Sequence, residues 1–212
     1  MKTNKFSRRA GNGLAIILLP LLLASAPTSS DESGRSFGRK ADLPRLLAQS
    51  TTILAHRPAG TSPLGDYYRD DARGFAIRVP LDMWVDTRNP KFAVKFISRT
   101  NDAFIMINLI PVPAAVDMNQ AFANFITKKN QEVEERIPTY RLQSSGSKKF
   151  PKFTAYYTMS VFKIGKITVN LTTYYIPGKN KIFMISTVCP QAVVSNWGLV
   201  FEAAVASFSL IE

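Results

Sequence analysis

The stretch FTAYYTMSVFKIGKITVNLTTYYIPGKNKIFMISTV, residues 153–188, decides the fold. In its first third, Phe153, Ala155, Tyr157, Met159 and Val161 alternate with Thr154, Tyr156, Thr158 and Ser160. Beyond Gly165, Ile167, Val169, Leu171, Thr173 and Tyr175 alternate with Thr168, Asn170 and Thr172. A period of two sends successive side chains to opposite faces of a pleated backbone, so both runs predict strands, joined by a hairpin at Gly165. Pro177-Gly178-Lys179-Asn180 combines a fixed φ with residues that tolerate left-handed backbone, which makes a turn. Lys181 to Val188 is then the next strand. Connections this short permit only antiparallel neighbours.

Downstream, Trp197, Val200, Phe201, Ala204, Val205 and Phe208 fall at the spacing of one helical face. Gly198 costs that helix about 1 kcal/mol relative to Ala, so packing of the aromatic face must hold it. Upstream, Tyr140 to Gln143 begins the meander and Ser144-Ser145-Gly146-Ser147 reads as a break in it. A helix precedes it. Asp117 and Gln120 have the spacing of a capping box, and Met118, Phe122, Phe125, Ile126, Val133 and Ile137 share one face. Lys128, Lys129, Asn130 and Glu132 take the other side, and Pro138 stops the helix. AFIMINLI, 103–110, is apolar on both faces and predicts a central, doubly covered strand ended by Pro111 and Pro113. Phe92 to Ser98 sets Phe92, Val94 and Phe96 against Lys95. Met83 to Thr87 is a short strand, and Phe75, Ile77 and Val79 alternate with Ala76 and Arg78. The order strands, helix, strand meander, helix defines an α+β domain, residues 66–212. Its antiparallel β-sheet is flanked by helices in an α/β/α sandwich.

The chain has 212 residues and a formal charge of +12. Its first 26 residues carry Lys2, Lys5, Arg8 and Arg9 ahead of an apolar run from Leu14 to Ala24. A basic start, a short apolar core and the small residues Ala24, Ser25 and Ala26 have the layout of a secretory signal peptide with its cleavage region. The run is shorter than the ~20 residues that span a bilayer. Arg8-Arg9 is followed by Ala10-Gly11-Asn12 rather than large apolar residues, which favours general secretion. No Cys follows the apolar run, so a lipid anchor is not expected. Residues 27–65 are rich in Ser, Thr, Gly, Pro and Arg and read as a disordered tail or linker, with Leu43, Leu46 and Leu47 fitting one helical face for a turn or two. From Asp66 onward 18 basic residues face 12 acidic ones. A field of that sign favours anionic partners.

One Cys, Cys189, and one His, His56, do most of the excluding. They cannot make an intrachain disulfide or a Cys/His zinc site, and His56 falls in the tail. No phosphate-binding glycine motif occurs. Cys189 is expected to be a buried, inert thiol. Asn170-Leu171-Thr172 matches a glycosylation acceptor but falls within a strand. Asp66, Asp70 and Asp71 cluster before the first expected strand and could form a carboxylate pair or a metal site for a hydrolase. The blander reading is a polar edge. Lys148, Lys149 and Lys152, interleaved with Phe150 and Phe153, form the densest basic cluster. They make a possible patch for an anionic partner. Base stacking on these aromatics would suit a nucleic acid, but rings turned into the core are the better expectation.

Tyr67-Tyr68 ahead of Gly74-Phe75-Ala76-Ile77-Arg78-Val79-Pro80 and Met83-Trp84, the turn Pro177-Gly178-Lys179-Asn180 before Lys181-Ile182-Phe183-Met184, and the closing Trp197, Phe201 and Ser207-Phe208-Ser209 resemble the PsbP-like superfamily. Its members include the extrinsic protein P of photosystem II and small exported bacterial proteins. The resemblance covers Asp66 to the end and implies an antiparallel sheet between helices and a noncatalytic binding or assembly role. The metal-binding His residues and lipidated Cys of some members have no counterpart. The reading is therefore an exported module without catalytic residues, metal or cofactor, periplasmic or secreted, with an acidic protein or envelope component as partner. A metal-dependent hydrolase at Asp66, Asp70 and Asp71 and a binder of anionic surfaces are the alternatives. A photosystem II-associated role in the thylakoid lumen attaches only to a photosynthetic source.

Overall fold

The computed structural model describes residues 62–87, 92–112 and 118–211. The elements run β1 (Leu64–Asp70), β2 (Phe75–Pro80), β3 (Met83–Asp86), β4 (Val94–Ser98), β5 (Phe104–Pro111), α1 (Met118–Arg136), β6 (Arg141–Lys149), β7 (Thr154–Ile164), β8 (Ile167–Pro177) and β9 (Lys181–Pro190). A 3-10 turn (Gln191–Val193), α2 (Val194–Ala206) and β10 (Ser209–Leu210) follow. The expected signal peptide with Ala24, Ser25 and Ala26, most of the tail with His56, and the Asp117 cap lie outside the described residues.

Seven strands form one antiparallel sheet in the order β3-β4-β5-β9-β8-β7-β6. β5 is apolar on both faces because both are covered. Ile105 and Ile107 enter one core with Phe183, Ile185, Trp197, Phe201 and Phe208. Phe104 and Met106 enter the other with Phe122, Val133, Met184 and Val188. The first core lies under α2, the second under α1, so the fold is an α+β sandwich of three layers.

Several expectations change. The first strands do not join the large sheet: β1, β2 and β10 make a separate three-stranded sheet beside α2. Ser207 ties the two, since its Oγ donates to Ala204 O and accepts from Arg78 N at 2.9 Å. β1 begins at Leu64, inside the expected tail, and Asp66 and Asp70 belong to the strand rather than preceding it. Leu64 and Gly65 are held there by the Arg78 guanidinium, which donates to both carbonyls at 2.9 Å.

Ser144-Ser145-Gly146-Ser147 does not break the meander. β6 runs through these residues, paired with β7 from Arg141↔Val161 to Lys149↔Thr154 with one irregularity between Leu142 and Ser144. The ladder to β7 holds it, and its side chains need bury nothing. Met159, expected on an apolar face, is exposed, whereas Thr158 and Ser160 are buried. The cause is coverage: α2 packs over β9 and β2 and leaves this end of its face of the large sheet bare, while α1 covers the opposite face. Lys95 and Lys129, expected on polar faces, are also buried. Lys95 places its ammonium 4.4 Å from the centre of the Phe104 ring, a cation–π contact that offsets part of its desolvation. Lys129 has Glu132 at 3.3 Å.

Candidate binding surface

The basic cluster sits where the large sheet ends. β6 is the last strand in the sheet order. Along its nine residues every side chain is exposed except that of Lys148, which is half-buried. At its end Phe150 N donates to Phe153 O at 2.8 Å and closes a tight turn into β7 that carries Lys152. The turn is anchored from inside. Phe150 and Phe153 stack at 4.9 Å, Phe150 meets Tyr174 edge-on, and Phe153 meets Phe208. Both rings pack into the α2-side core, so they offer no stacking platform to a base.

The three lysines differ. Lys148 donates to Glu202 of α2 at 2.8 Å and lies over the Phe150 ring. Lys149 and Lys152 are exposed and have no ion pair among the described residues. Beside them, on the α2 side, Ser147, Lys148, Tyr157, Met159 and Tyr174 line a pocket of about 230 Å³. Gly146 belongs to the same construction. A Cβ there would stand 3.4 Å from the Tyr157 ring, so that ring packs directly against the Gly146 backbone. Burial, then the charge of Glu202 and the neighbouring Tyr157, push the Tyr174 hydroxyl up to about 12. It is a neutral donor under physiological conditions. The surface thus offers two free ammonium groups, a pocket of mixed polar and apolar lining and a strand edge, which suits recognition and supplies no nucleophile–base pair.

The opposite face holds a polar chamber that sequence reasoning missed. Lys129, Asn130, Tyr140, Thr158, Thr173 and Tyr175 line a cavity of about 30 Å³, with Val133, Leu171 and Met184. Tyr140 donates to Asn130 Oδ1 at 3.1 Å, and Thr173 shares a hydrogen bond with Ser186 at 3.1 Å. Burial lowers the Lys129 pKa, against the hydrogen bond and charge of Glu132. Burial raises that of Tyr175, against a hydrogen bond from Thr158. The traces in sequence are Thr158, alternating with the apolar residues of β7, and Thr173, lying among those of β8, and neither signals a cavity.

The carboxylates do not assemble. Asp70 is buried and held by Arg73, whose backbone N–H and Nη1 donate to it at 2.9 and 2.8 Å. Its β1–β2 turn needs Gly74, at φ 77°, where Gly74 N reaches Asp70 O. Asp71 pairs with Arg69 in solvent at 2.7 Å, and Asp66 is exposed. Among the described residues no three His, Cys, Asp or Glu side chains converge for a metal. Cys189 is buried, and burial followed by the charge of Asp102 pushes its thiol up to about 12, where little thiolate exists to react. Asn170 Nδ2 is buried and cannot accept a glycan in this fold. No described helix is long and apolar enough to cross a membrane.

A sheet of seven antiparallel strands between a long helix on one face and a helix with a small sheet on the other is the architecture of PsbP-like proteins. Solved structures bear this out. The cyanobacterial PsbP protein, CyanoP, of Synechocystis sp. matches with a TM-score of 0.51 at 11% identity, over 74% of this chain and 98% of that one. LpqN of Mycobacterium tuberculosis, described as involved in cell envelope biogenesis, matches with a TM-score of 0.51 at 12% identity, over 69% and 90%. The Ran-binding protein Mog1p of Saccharomyces cerevisiae matches with a TM-score of 0.51 at 13% identity, over 71% and 97%. At these identities the likeness is one of fold, and the fold of this chain is PsbP-like. No family model and no curated protein matches the sequence.

Proposed function

We propose that the protein is an exported, noncatalytic binding or assembly module that acts through protein contacts, its domain running from β1 onward and preceded by a linker. The observation that carries this is the bare basic end of the large sheet, where Lys149 and Lys152 stand unpaired among the described residues beside the Tyr157–Met159–Tyr174 pocket. The fold neighbours support it: one is a Ran-binding protein and another is involved in cell envelope biogenesis. Export rests on the basic start, the apolar run from Leu14 to Ala24 and the small residues Ala24, Ser25 and Ala26. The partner is an acidic protein or envelope component. The test is crosslinking pull-down from the envelope fraction of the source organism, compared with a charge-matched bait. Enrichment of a protein over that control supports the reading, and its absence argues against it.

The same lysines favour a second reading, a contact with anionic lipid or polyanion through Lys148, Lys149 and Lys152. Such binding weakens steeply with salt because exposed charges are screened within about 10 Å at 0.1 M. Retention on heparin or acidic vesicles that survives both salt and triple Ala substitution would exclude it.

A further inference from the structure

We propose that the free edge of β6 takes an extended, acid-flanked segment of a partner protein as an additional strand of the large sheet. This rests on the protein-binding reading above and names the chemistry of the partner.

Three observations converge. The first is backbone supply. Among the described residues β6 pairs with β7 on one side only and ends the sheet order, so a row of N–H and C=O groups faces outward along nine residues. An unpaired edge is a template for another strand. Edges are commonly guarded by Pro, bulges, charged side chains, covering loops or by being very short, and β6 confines its one irregularity to Leu142–Ser144 and its charges to its two ends. β6 contains no Pro, its middle is Ser144-Ser145-Gly146-Ser147, and its side chains there are small and exposed. They leave the backbone accessible.

The second observation is charge. No Asp or Glu occurs between Arg136 and Glu202, while eight basic residues do. On β6 and its neighbouring turns they gather at the two ends. Arg141 lies at one end, near the exposed Lys163 and Lys166 of the β7–β8 hairpin, which Thr139 joins through Lys163 N at 3.0 Å. Lys148, Lys149 and Lys152 lie at the other. Arg141 and Lys148 are separated by about 24 Å of extended chain. A complementary strand carries acidic residues at both ends and small or β-branched residues between them.

The same arrangement decides against a second copy as the occupant. Antiparallel pairing of β6 with itself about Ser145 sets Arg141 opposite Lys149 twice, and like charges directly opposite are destabilising.

The third observation is the pocket of about 230 Å³ formed beside the strand by Ser147, Lys148, Tyr157, Met159 and Tyr174. In strand addition the main chain supplies affinity, and pockets for alternate side chains supply selectivity. Met159 and Tyr157 give this pocket an apolar wall one strand in from the free edge, where an apolar side chain of the added strand leaning across β6 would rest.

The probe is a fluorescent peptide, Asp-Glu-Thr-Val-Thr-Val-Thr-Val-Asp-Glu, titrated into residues 27–212 at low salt. Controls are the same peptide N-methylated at odd or at even amides, and a version with Lys for each acidic residue. The expected result is saturable binding, slowed amide exchange across Arg141–Lys149, loss of binding with one of the two N-methylated peptides, and no binding of the Lys version. Lys149→Glu with Lys152→Glu weakens binding about tenfold, the sum of two exposed pairs reversed in sign. Equal binding of both N-methylated peptides would show charge attraction without strand pairing and overturn the proposal. So would exchange protection outside β6, equal binding of the Lys version, concentration-dependent self-association through β6, or no binding of the acidic peptide. A pull-down partner whose footprint lies elsewhere would overturn this inference while leaving the module reading standing.

Discussion

Replacing Phe208 by Ala tests how the core holds the basic turn in place. Phe208 has no exposed surface and sits just past α2. Its ring lies 5.9 Å from Phe75 of the small sheet, 5.3 Å from Phe183 of the large sheet and 5.8 Å from Phe153 at the turn. Loss of a buried Phe side chain to Ala costs about 3–5 kcal/mol, transfer and cavity together. Against a total stability of about 5–15 kcal/mol, this removes a large share. With a urea slope of about 2 kcal/mol/M, the midpoint falls by about 2 M. The damage also has a direction. Phe153 loses its edge-on partner, and the Phe150–Phe153 stack, which has Lys148 over its Phe150 ring, loses one wall. Exchange of the Phe150 amide, which donates to Phe153 O at 2.8 Å, therefore accelerates more than that of amides in the β8–β9 ladder. Phe208→Leu keeps most of the volume and costs about 1–1.5 kcal/mol. Paired urea titrations and amide exchange on both variants provide the measurement. A loss below about 1 kcal/mol for the Ala variant, or equal losses for Ala and Leu, would refute the ring cluster as the clamp between the two sheets.

Gly198 is helical, and a Cβ there meets nothing within 4 Å, so Gly198→Ala stabilises by about 0.5–1 kcal/mol and raises Tm by a few degrees; a fall in Tm would mean that α2 is bounded differently. Tyr174, pushed up to about 12 by burial and then by Glu202, stays protonated in the folded state while the unfolded chain ionises near 10. Its stabilisation is complete below pH 10 and is lost as pH rises through 12, and the upward shifts of Tyr175, Tyr140 and Tyr68 act in the same direction. The lowered pKa values of Lys95 and Lys129 act oppositely, because the unfolded chain then binds more protons and stability rises with pH toward 10.5. Tyrosinate absorbance of these buried rings should consequently appear together with loss of circular dichroism above pH 10, and titration of all seven tyrosines with the fold intact would contradict their burial. Cys189 should react with a thiol reagent only as fast as the protein opens, whereas immediate stoichiometric labelling would place it at the surface.

The parts of the fold that were legible in the sequence are those whose side chains must satisfy two layers or one. β5 had to be apolar on both faces, and its eight residues say so. The first half of β8 and the α2 face announce themselves by periods of two and 3.6 because each has one buried side there, whereas Thr173 to Ile176 of β8 are buried on both faces. The separate small sheet was not legible. Its strands alternate like any half-buried strand, and which sheet they join depends on Ser207 and on β10, only two residues long. Lys95 and Lys129 also misled, since a long aliphatic stem can be buried beneath a helix while its ammonium finds a ring or a carboxylate.

The misreading of β6 bears most directly on function. Residues 144–147 look like a loop because nothing in them asks to be buried, and nothing there is buried. A strand placed by the ladder of β7 rather than by its own side chains carries no hydrophobic period, so pattern reading passes over it. The same lack of side-chain demand leaves its outer backbone uncommitted, while the lysines and arginine at its ends set a condition on what can pair there. Lys149 and Lys152 are therefore readable as a patch from sequence alone, but the edge between them and Arg141, which turns a patch into an orientation for a partner, appears only once the sheet order is known.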